Sequence, residues 1–512
     1  MQHASTGDRP VATGRWWRIA LGPALAASLW AFGAGDTPTV AAMAAIAAWM
    51  AAWWVTEAVP IPVTALLPLV LVPLAGIQPV TEVAPNYARS TVFLFLGGYM
   101  LAIGLQESGV HRRLALWIVH TVGGSPSRVI LGFMIAAAFL SMWITNTATV
   151  MVLMPIGLSV IEAARDRDAD PRELRTFAVT VMLAIAYAAD MGGMTTLVGT
   201  APNLSYKEQL TRLFPQAPET SFVGWMGIGL PLAVVFVFCG WLLLTRLLFR
   251  GGAAALLGSR EAVARLRGEL GPLRRDELVC GLLFTITAVL WITRRDITVG
   301  DVVLPGWGSL PWIAGSLIDD SVVAVGMAIL LFLIPSQSRP GERLLEWRMS
   351  DRMPWGMLLL FGGGFALADG FGASGLSLWM GGHFSALEGA PPLLVILLVC
   401  TALTFLTELT SNTATTEMAL PILGAAAVAM NADPRALMIP ATLSASCAFM
   451  MPVASPTQAI VFGSGWVPIR QMVRAGIWFN LLGIGLVTVV FWVLCGPVAG
   501  IVPGSVPEWV AP

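Results

Sequence analysis

Two short clusters of hydroxyl and amide side chains lie inside long apolar stretches of this 512-residue sequence. Thr-Asn-Thr-Ala-Thr at residues 145–149 returns as Ser-Asn-Thr-Ala-Thr at residues 411–415, an offset of 266 residues. Neither cluster is charged, so its side chains can donate hydrogen bonds to the oxygens of an anion, while its carbonyl oxygens can bind a hard cation. The clusters therefore predict a site for an anion together with a cation.

The same offset relates other residues of the two regions. It maps Gly97 and Gly98 onto Gly363 and Gly364, Gly104 onto Gly370, Ser108 and Gly109 onto Ser374 and Gly375, and Pro155 onto Pro421. A single register held over about sixty residues indicates two diverged copies of one unit. A polar cluster duplicated within apolar sequence is typical of a transporter whose binding site lies between two repeats.

The composition predicts a polytopic integral membrane protein. Hydrophobic residues make up 56% of the chain and charged residues only 12%, whereas a soluble domain carries about 25% charged residues. The net charge of −1 gives no reason to expect a nucleic-acid partner. The partner that the composition predicts is the lipid bilayer.

Apolar stretches predict an all-α fold with about eleven transmembrane helices and two re-entrant helical hairpins. The helices are predicted near residues 17–34, 39–55, 61–78, 92–106, 174–190, 222–249, 276–294, 319–335, 355–371, 436–452 and 474–498. The hairpins, at about 126–163 and 391–431, are interrupted by the polar clusters, which we place at their tips. Non-helical backbone is tolerated at membrane depth only inside protein or beside water.

The placement of arginine orients these helices. Basic clusters follow the fourth helix, the first hairpin and the sixth helix, and they precede the ninth and the last helix. Placing them in the cytoplasm gives a cytoplasmic N-terminus. Basic residues follow segment 97–109 but precede its copy 363–375, so the copies cross the membrane in opposite directions. This predicts an inverted repeat, which favours an alternating-access carrier.

Four regions follow from this arrangement. We predict a cytoplasmic N-terminal tail at 1–16, a first membrane repeat at 17–250 with its hairpin at about 126–163, a cytoplasmic amphipathic linker at 251–275, and a second, inverted membrane repeat at 276–512 with its hairpin at about 391–431. We expect the protein to lie in a bacterial inner membrane.

A second, less similar pair of segments lies beyond the hairpins. Leu-Val-Gly-Thr-Ala-Pro-Asn at 197–203 can be aligned with Pro-Val-Ala-Ser-Pro-Thr-Gln at 452–458. Glycine, proline and hydroxyl residues inside apolar sequence are expected where a helix is broken at mid-membrane. An ordinary proline kink explains these residues equally well.

Together these motifs resemble the divalent anion/sodium symporter family, whose members carry dicarboxylates, citrate and sulfate. The resemblance rests on the two Ser/Thr-Asn-Thr clusters, on the Trp-x-Thr-Glu-Ala-x-Pro-x-Pro run at 54–62, and on segments 192–203 and 447–454; it covers nearly the whole chain. It implies a homodimer in which each protomer has a scaffold domain and a transport domain that moves like an elevator. It also implies Na⁺ as the coupling ion, and we expect no organic cofactor.

The family motifs assign ligands by position. The first Na⁺ site would use Ser141, Thr145, Asn146 and Gly199, and the second would use Thr407, Thr410, Asn412 and Ala454. The dianion would contact Asn146, Thr147, Ser411, Asn412 and Thr413, with Thr200, Ser455 and Pro456 nearby. This sequence departs from the family at Thr145, where Ser is usual, and at 455–458, where Ser-Pro-Thr-Gln replaces Thr-Pro-Pro-Asn.

The expected function is Na⁺-coupled import of a divalent anion, most of all a C4-dicarboxylate such as succinate, malate or fumarate. A dianion in a site without Arg or Lys needs positive charge from elsewhere, and cations bound beside it would supply that charge. A dicarboxylate exchanger and a sulfate or citrate carrier are the alternatives, since the same site would serve each of them.

Acidic residues in or near the predicted spans offer a different coupling ion. They are Glu57, Glu107, Asp190, Asp369, Glu408 and Glu417. Each could carry a proton, bind Na⁺ or pair with polar groups at a helix end, and Asp190 is the best candidate for proton coupling. A membrane-embedded hydrolase is disfavoured because the sequence has neither HExxH nor GxSxG, and its four histidines are scattered. We therefore predict a transporter and not an enzyme.

Overall fold

The computed structural model describes residues 16–31, 37–123, 125–165, 170–249, 259–299, 302–384, 389–502 and 504–510. Of the predicted N-terminal tail, only Trp16 falls within these ranges. Residues 32–34 of the first predicted helix and residues 251–258 of the predicted linker also lie outside the described residues.

The described chain is almost entirely α-helical, as predicted. The first half contains α1 Trp16–Ala31, α2 Pro38–Thr56, α3 Ile61–Thr64, α4 Leu67–Leu74, α5 Val80–Val83, α6 Ser90–Ser108, α7 Val110–Val122, α8 Pro126–Ser141, α9 Asn146–Arg165, α10 Pro171–Gly193, α11 Ala201–Leu213, α12 Phe222–Leu242 and α13 Ser259–Glu269. The second half contains α14 Arg275–Ile292, α15 Asp320–Leu333, α16 Trp355–Ser374, α17 Leu376–Phe384, α18 Pro392–Thr407, α19 Asn412–Ala429, α20 Arg435–Ala445, α21 Pro456–Gly463 and α22 Ile469–Ala499. Between α14 and α15, strands β1 Ile297–Val299 and β2 Val302–Leu304 pair in an antiparallel ribbon.

Helix boundaries repeat with the offset found in the sequence. Helices α7, α8 and α9 begin at residues 110, 126 and 146, and helices α17, α18 and α19 begin 266 residues later, at 376, 392 and 412. The helices before them, α6 and α16, both end at a glycine in left-handed backbone, Gly109 with φ 86° and Gly375 with φ 81°. Because a residue with a Cβ is strained there, the duplication includes backbone geometry as well as sequence.

Seven helical runs of the described residues are long and apolar enough to cross a bilayer, and shorter apolar helices lie beside them. One of the seven, α10, has every residue from 177 to 193 buried. A helix that is apolar and buried on all sides lies at the centre of its protein. It packs against α8 and α9 of the first hairpin and against α21 of the second half. The protein core therefore joins the two halves at this helix.

Two segments differ from their predicted form. The predicted helix 61–78 is divided into α3 and α4, each with a proline in its first turn. The predicted helix 436–452 ends at Ala445, because the backbone N–H groups of residues 449–451 donate to the Glu408 carboxylate and cannot continue the helix.

Two of the duplicated glycines lie where neighbouring backbones approach closely. A Cβ at Gly97 in α6 would come within 2.6 Å of the carbonyl carbon of Ala324 in α15. A Cβ at Gly363 in α16 would clash with the carbonyl oxygen of Ala65, between α3 and α4. Since the obstacles are backbone atoms, they cannot move aside as a flexible side chain would.

Replacing Gly97 by Val should therefore destabilise the packing of α6 on α15. We expect a loss of about 1–3 kcal/mol, seen as a lower unfolding temperature of the purified protein in detergent. Gly326→Val is the matched control. Gly326 lies in α15, the helix against which Gly97 packs, but a Cβ at this position would meet no neighbouring atom within 4 Å. Equal unfolding temperatures for the two variants would contradict the close approach of these helices.

Candidate functional site

The first polar cluster lies at the turn 142–145 between α8 and α9. Ser141 Oγ, at the end of α8, donates a hydrogen bond to Asn146 Oδ1 at 2.6 Å. Thr145 Oγ1 accepts from the backbone N–H of Ala148 at 3.3 Å and so caps the start of α9. The hairpin tip therefore presents a hydroxyl and an amide oxygen side by side, held by its own hydrogen bonds.

The second cluster has the same arrangement in the turn 408–411 between α18 and α19. Thr407 Oγ1 donates to Asn412 Oδ1 at 2.7 Å, and these two residues are offset by 266 from Ser141 and Asn146. Thr410 adds a hydroxyl that donates to the Leu406 carbonyl at 3.0 Å. Each tip thus brings together a hydroxyl and an asparagine oxygen in equivalent positions.

Each tip is held by a nearby helix that is broken and not merely kinked. Helix α10 ends at Gly193 and α11 starts at Ala201, with segment 194–200 between them. Thr196 Oγ1 donates to the Met142 carbonyl of the first tip at 2.5 Å. A Cβ at Gly193 would lie 2.5 Å from Asn146 Oδ1, so only glycine fits behind this asparagine. The first tip and segment 194–200 therefore form one packed unit.

The second tip is held by a carboxylate. Glu408 accepts hydrogen bonds from the backbone N–H groups of Phe449, Met450 and Met451 at 2.7, 2.9 and 3.0 Å, all in segment 446–455 between α20 and α21. Asn480 Nδ2 in α22 donates to the same carboxylate at 2.8 Å. Glu408 thus accepts hydrogen bonds from backbone N–H groups that have no partner within a helix. This is the pairing with polar groups at a helix end that the sequence offered as one role for this residue.

Four helices begin directly after a hydroxyl residue. The residues that precede α9, α11, α19 and α21 are Thr145, Thr200, Ser411 and Ser455. Helix α9 packs against α21, and α11 packs against α19. Ser205 Oγ in α11 donates to Glu417 Oε1 in α19 at 2.6 Å, about one turn into each helix. Helix starts with free N–H groups favour an anion, so these helices suit a negatively charged ligand.

The structure brings most of the predicted ligands together in two groups. The first group contains Ser141, Thr145 and Asn146, which lie at the first tip. Gly199 connects to this tip through Thr196, whose hydroxyl accepts from Gly199 N at 3.1 Å and donates to the Met142 carbonyl. In the second group, Thr407 bonds to Asn412, and Thr410 lies in the same turn. Ala454 connects to this tip indirectly, because its N–H donates to the Met451 carbonyl at 3.1 Å and Met451 N donates to Glu408.

The predicted substrate ligands differ in exposure. Asn146, Thr147, Thr200, Ser411 and Asn412 are partly exposed, Pro456 is exposed, and Thr413 and Ser455 are buried. The hydroxyl of Ser455 is engaged within its own helix start, where it contacts Thr457 Oγ1 at 2.5 Å and accepts from Gln458 N at 3.4 Å. The hydroxyls of Thr147 and Ser411 are therefore better placed to meet a ligand than that of Ser455.

Asp190 bonds directly to the first tip, whereas the sequence offered it chiefly as a proton carrier and gave it no partner. Its carboxylate accepts from Asn146 Nδ2 at 2.9 Å, from Thr457 Oγ1 at 3.0 Å and from Gln458 Nε2 at 2.8 Å. The signal in the sequence was the change from Pro-Asn to Thr-Gln at 457–458, because both new side chains bond to Asp190. Without coordinates, nothing connected these residues across the chain.

Solved transporter structures share the fold. The YdaH transporter of Alcanivorax borkumensis superposes with a TM-score of 0.54 at 14% identity, over 81% of this chain and 88% of that one. Neisseria gonorrhoeae MtrF, described as illuminating a class of antimetabolite efflux pumps, gives a TM-score of 0.53 at 13% identity, over 81% and 83%. At such low identity the likeness concerns the fold alone.

Sequence relatives are much closer. A protein of Staphylococcus saprophyticus named sodium-dependent dicarboxylate transporter SdcS is 41% identical over 461 residues, 89% of this chain and 86% of its own length. A protein of the same name from Staphylococcus aureus is 39% identical over 503 residues, 97% of this chain and 94% of its own length. The family model for the sodium:sulfate symporter transmembrane region matches residues 15–499. This integral membrane protein therefore belongs to the sodium:sulfate symporter family, as its duplicated motifs predicted.

Proposed function

We propose that this protein imports C4-dicarboxylates such as succinate, malate and fumarate together with Na⁺. The observation that carries the proposal is the pair of equivalent tips, in which Ser141 bonds to Asn146 and Thr407 bonds to Asn412. The two staphylococcal relatives are named sodium-dependent dicarboxylate transporters, which supports the same substrate class and coupling ion.

The donor atoms at each tip fit a small hard cation. Hydroxyl oxygens, asparagine Oδ1 atoms and main-chain carbonyls are the ligand types that alkali and alkaline-earth ions prefer. We assign one Na⁺ to Ser141, Thr145, Asn146 and Gly199, and another to Thr407, Thr410, Asn412 and Ala454. Gly193 packs against the Asn146 amide, and Gly199 packs against the backbone of Gly193. This packing supports the first assignment because it brings Gly199 close to the first tip.

The dianion would lie between the tips. We assign Asn146, Thr147, Ser411, Asn412 and Thr413 as its ligands, with Thr200, Ser455 and Pro456 beside it. Among the described residues, no Lys or Arg bonds to either tip, so the two carboxylates of the substrate would be neutralised by bound Na⁺ and by helix starts. Binding of the cations and of the anion is then mutually favourable, which couples the two fluxes.

Removal of Na⁺ should abolish concentrative uptake. Proteoliposomes containing the purified protein should accumulate radiolabelled succinate against its gradient in NaCl and should fail to do so in choline chloride, because an uncompensated dianion cannot enter the site. Liposomes without protein are the control. Equal uphill accumulation in choline would reject sodium coupling, and uptake that requires internal succinate would show the exchanger instead.

Each tip asparagine should be needed for transport. Asn146→Ala and Asn412→Ala each remove a proposed ligand of both Na⁺ and substrate, so initial uptake should fall by about 10- to 100-fold at fixed Na⁺. Thr401→Ala is the matched control, because Thr401 is an exposed hydroxyl of α18 whose Oγ1 donates only to the Leu397 carbonyl at 2.7 Å. Uptake by either asparagine variant at the level of Thr401→Ala would contradict the assigned role.

We propose an elevator movement for the transport step, with α8–α12 and α18–α22 moving against α1–α6 and α14–α16. Helix α11 carries the polar contacts that this movement must break. Thr91 in α6 donates to Glu208 Oε2 at 2.6 Å, and Lys207 Nζ pairs with Asp320 in α15 at 2.8 Å. Lys207 and Glu208 are each only 8% exposed, so these contacts hold one state of the carrier.

The arrangement of the whole chain follows from the same proposal. We propose a first membrane repeat at 17–250, a second, inverted repeat at 276–512, and a cytoplasmic N-terminus and linker. The 266-residue offset of helix starts supports the repeats, and the arginine distribution supports the orientation. We propose a homodimer from membership of the family.

A cross-link between α6 and α11 should stop the movement. Thr91→Cys/Glu208→Cys should lose most succinate uptake when a short bifunctional thiol reagent joins the two cysteines, and dithiothreitol should restore it if the reagent contains a disulfide. The single cysteine variants and the unmodified protein, treated alike, are the controls for the five native cysteines. Full uptake with a complete cross-link, shown by mass spectrometry, would contradict relative movement of these two helices.

A further inference from the structure

Asp190 is buried between the two halves of the protein. It lies in α10, is 2% exposed, and is bonded by Asn146 from the first hairpin and by Thr457 and Gln458 from the start of α21. One carboxylate therefore connects the first tip to a helix of the other repeat. No such group lies at the corresponding place of the second half, where an offset of 255 residues leads to Ala445.

The charge of Asp190 is not balanced by a basic side chain. The ion pairs of the described residues do not include it, and its three bonding partners are neutral. A buried carboxylate is costly unless a cation lies close by. A cation bound by the first tip, one hydrogen bond away through Asn146, meets this need.

Asp190 also sets the direction of the Asn146 amide. Because Asn146 Nδ2 donates to Asp190 Oδ1 at 2.9 Å, its Oδ1 is turned to Ser141 Oγ at 2.6 Å. The amide oxygen thus faces the hydroxyl that completes the proposed first Na⁺ site. The opposite orientation would present N–H groups to the cation and would repel it.

We infer that Asp190 is the positioning residue of the first cation site, and that it links occupancy of this site to the start of α21. Its negative charge strengthens Na⁺ binding at the first tip and makes the two Na⁺ sites unequal. Its bonds to Thr457 and Gln458 hold the helix whose first residues, Ser455 and Pro456, flank the proposed substrate position. This inference rests on the proposed function. It assigns to Asp190 the coupling between the Na⁺ of the first site and the dicarboxylate.

Asp190→Asn tests the charge, because an asparagine oxygen can still accept from Asn146. The half-saturating Na⁺ concentration for succinate uptake should rise about tenfold, while the succinate KM at saturating Na⁺ should change much less. Glu417→Gln is the matched control, since Glu417 is also fully buried but bonds to Ser205 and Gln209 of α11 and to neither tip. Its half-saturating Na⁺ concentration should stay within about threefold of the unmodified value.

Gln458→Leu tests the link and keeps the charge. Its affinity for Na⁺ measured without succinate should stay near the unmodified value, whereas the fall of the succinate KM with rising Na⁺ should become shallower. This variant keeps the inference testable if Asp190→Asn does not fold.

The outcomes separate this inference from the proposed function. If the unmodified protein needs no Na⁺, the proposed function fails. If it needs Na⁺ but Asp190→Asn has an unchanged Na⁺ dependence, Asp190 is a structural residue only, and the inference is wrong. An unchanged KM dependence in Gln458→Leu would remove the link to α21.

Discussion

Backbone that leaves the helical conformation inside a membrane protein must find new hydrogen-bond partners, and this constraint governs the centre of the molecule. The chain leaves it in two hairpin tips and in segments 194–200 and 446–455. In each half, the tip and the broken helix form hydrogen bonds with each other. Thr196 of the first broken helix donates to the Met142 carbonyl of the first tip. Glu408 of the second tip accepts from the backbone N–H groups of residues 449–451. Tip and broken helix therefore stabilise each other in both halves.

The two halves meet this constraint with different chemistry. In the first half a hydroxyl bonds to a carbonyl, and Gly193 allows Asn146 to pack against the backbone. In the second half, Glu408 lies at the position equivalent to Met142, and its carboxylate bonds to the backbone of the broken helix. A buried negative charge therefore stabilises backbone in one half, while in the other Asp190 lies beside the tip itself. The helix starts of the two halves keep one offset, while the electrostatics of the two tips differ.

The sequence predicted the features that depend on local pattern. Composition predicted a helical membrane protein, and the offset of 266 residues predicted which helices correspond. The same pattern could not distinguish a proline kink from the unwound segment 446–455, because the distinction depends on Glu408, some forty residues earlier in the chain. It also could not place Asp190, because its partners Thr457 and Gln458 come from the other repeat. Long-range polar contacts are the part of the site that needed coordinates.

The proposed mechanism requires that this site, whose tips bond to no Lys or Arg among the described residues, hold a dianion only when cations lie beside it. Equilibrium binding of succinate to the purified protein, measured by calorimetry over a series of Na⁺ concentrations at constant ionic strength, tests this requirement most directly. We expect saturating Na⁺ to tighten succinate binding by about tenfold or more, and succinate to tighten Na⁺ binding by the same factor. Succinate binding of equal affinity in choline and in Na⁺ would contradict the mechanism.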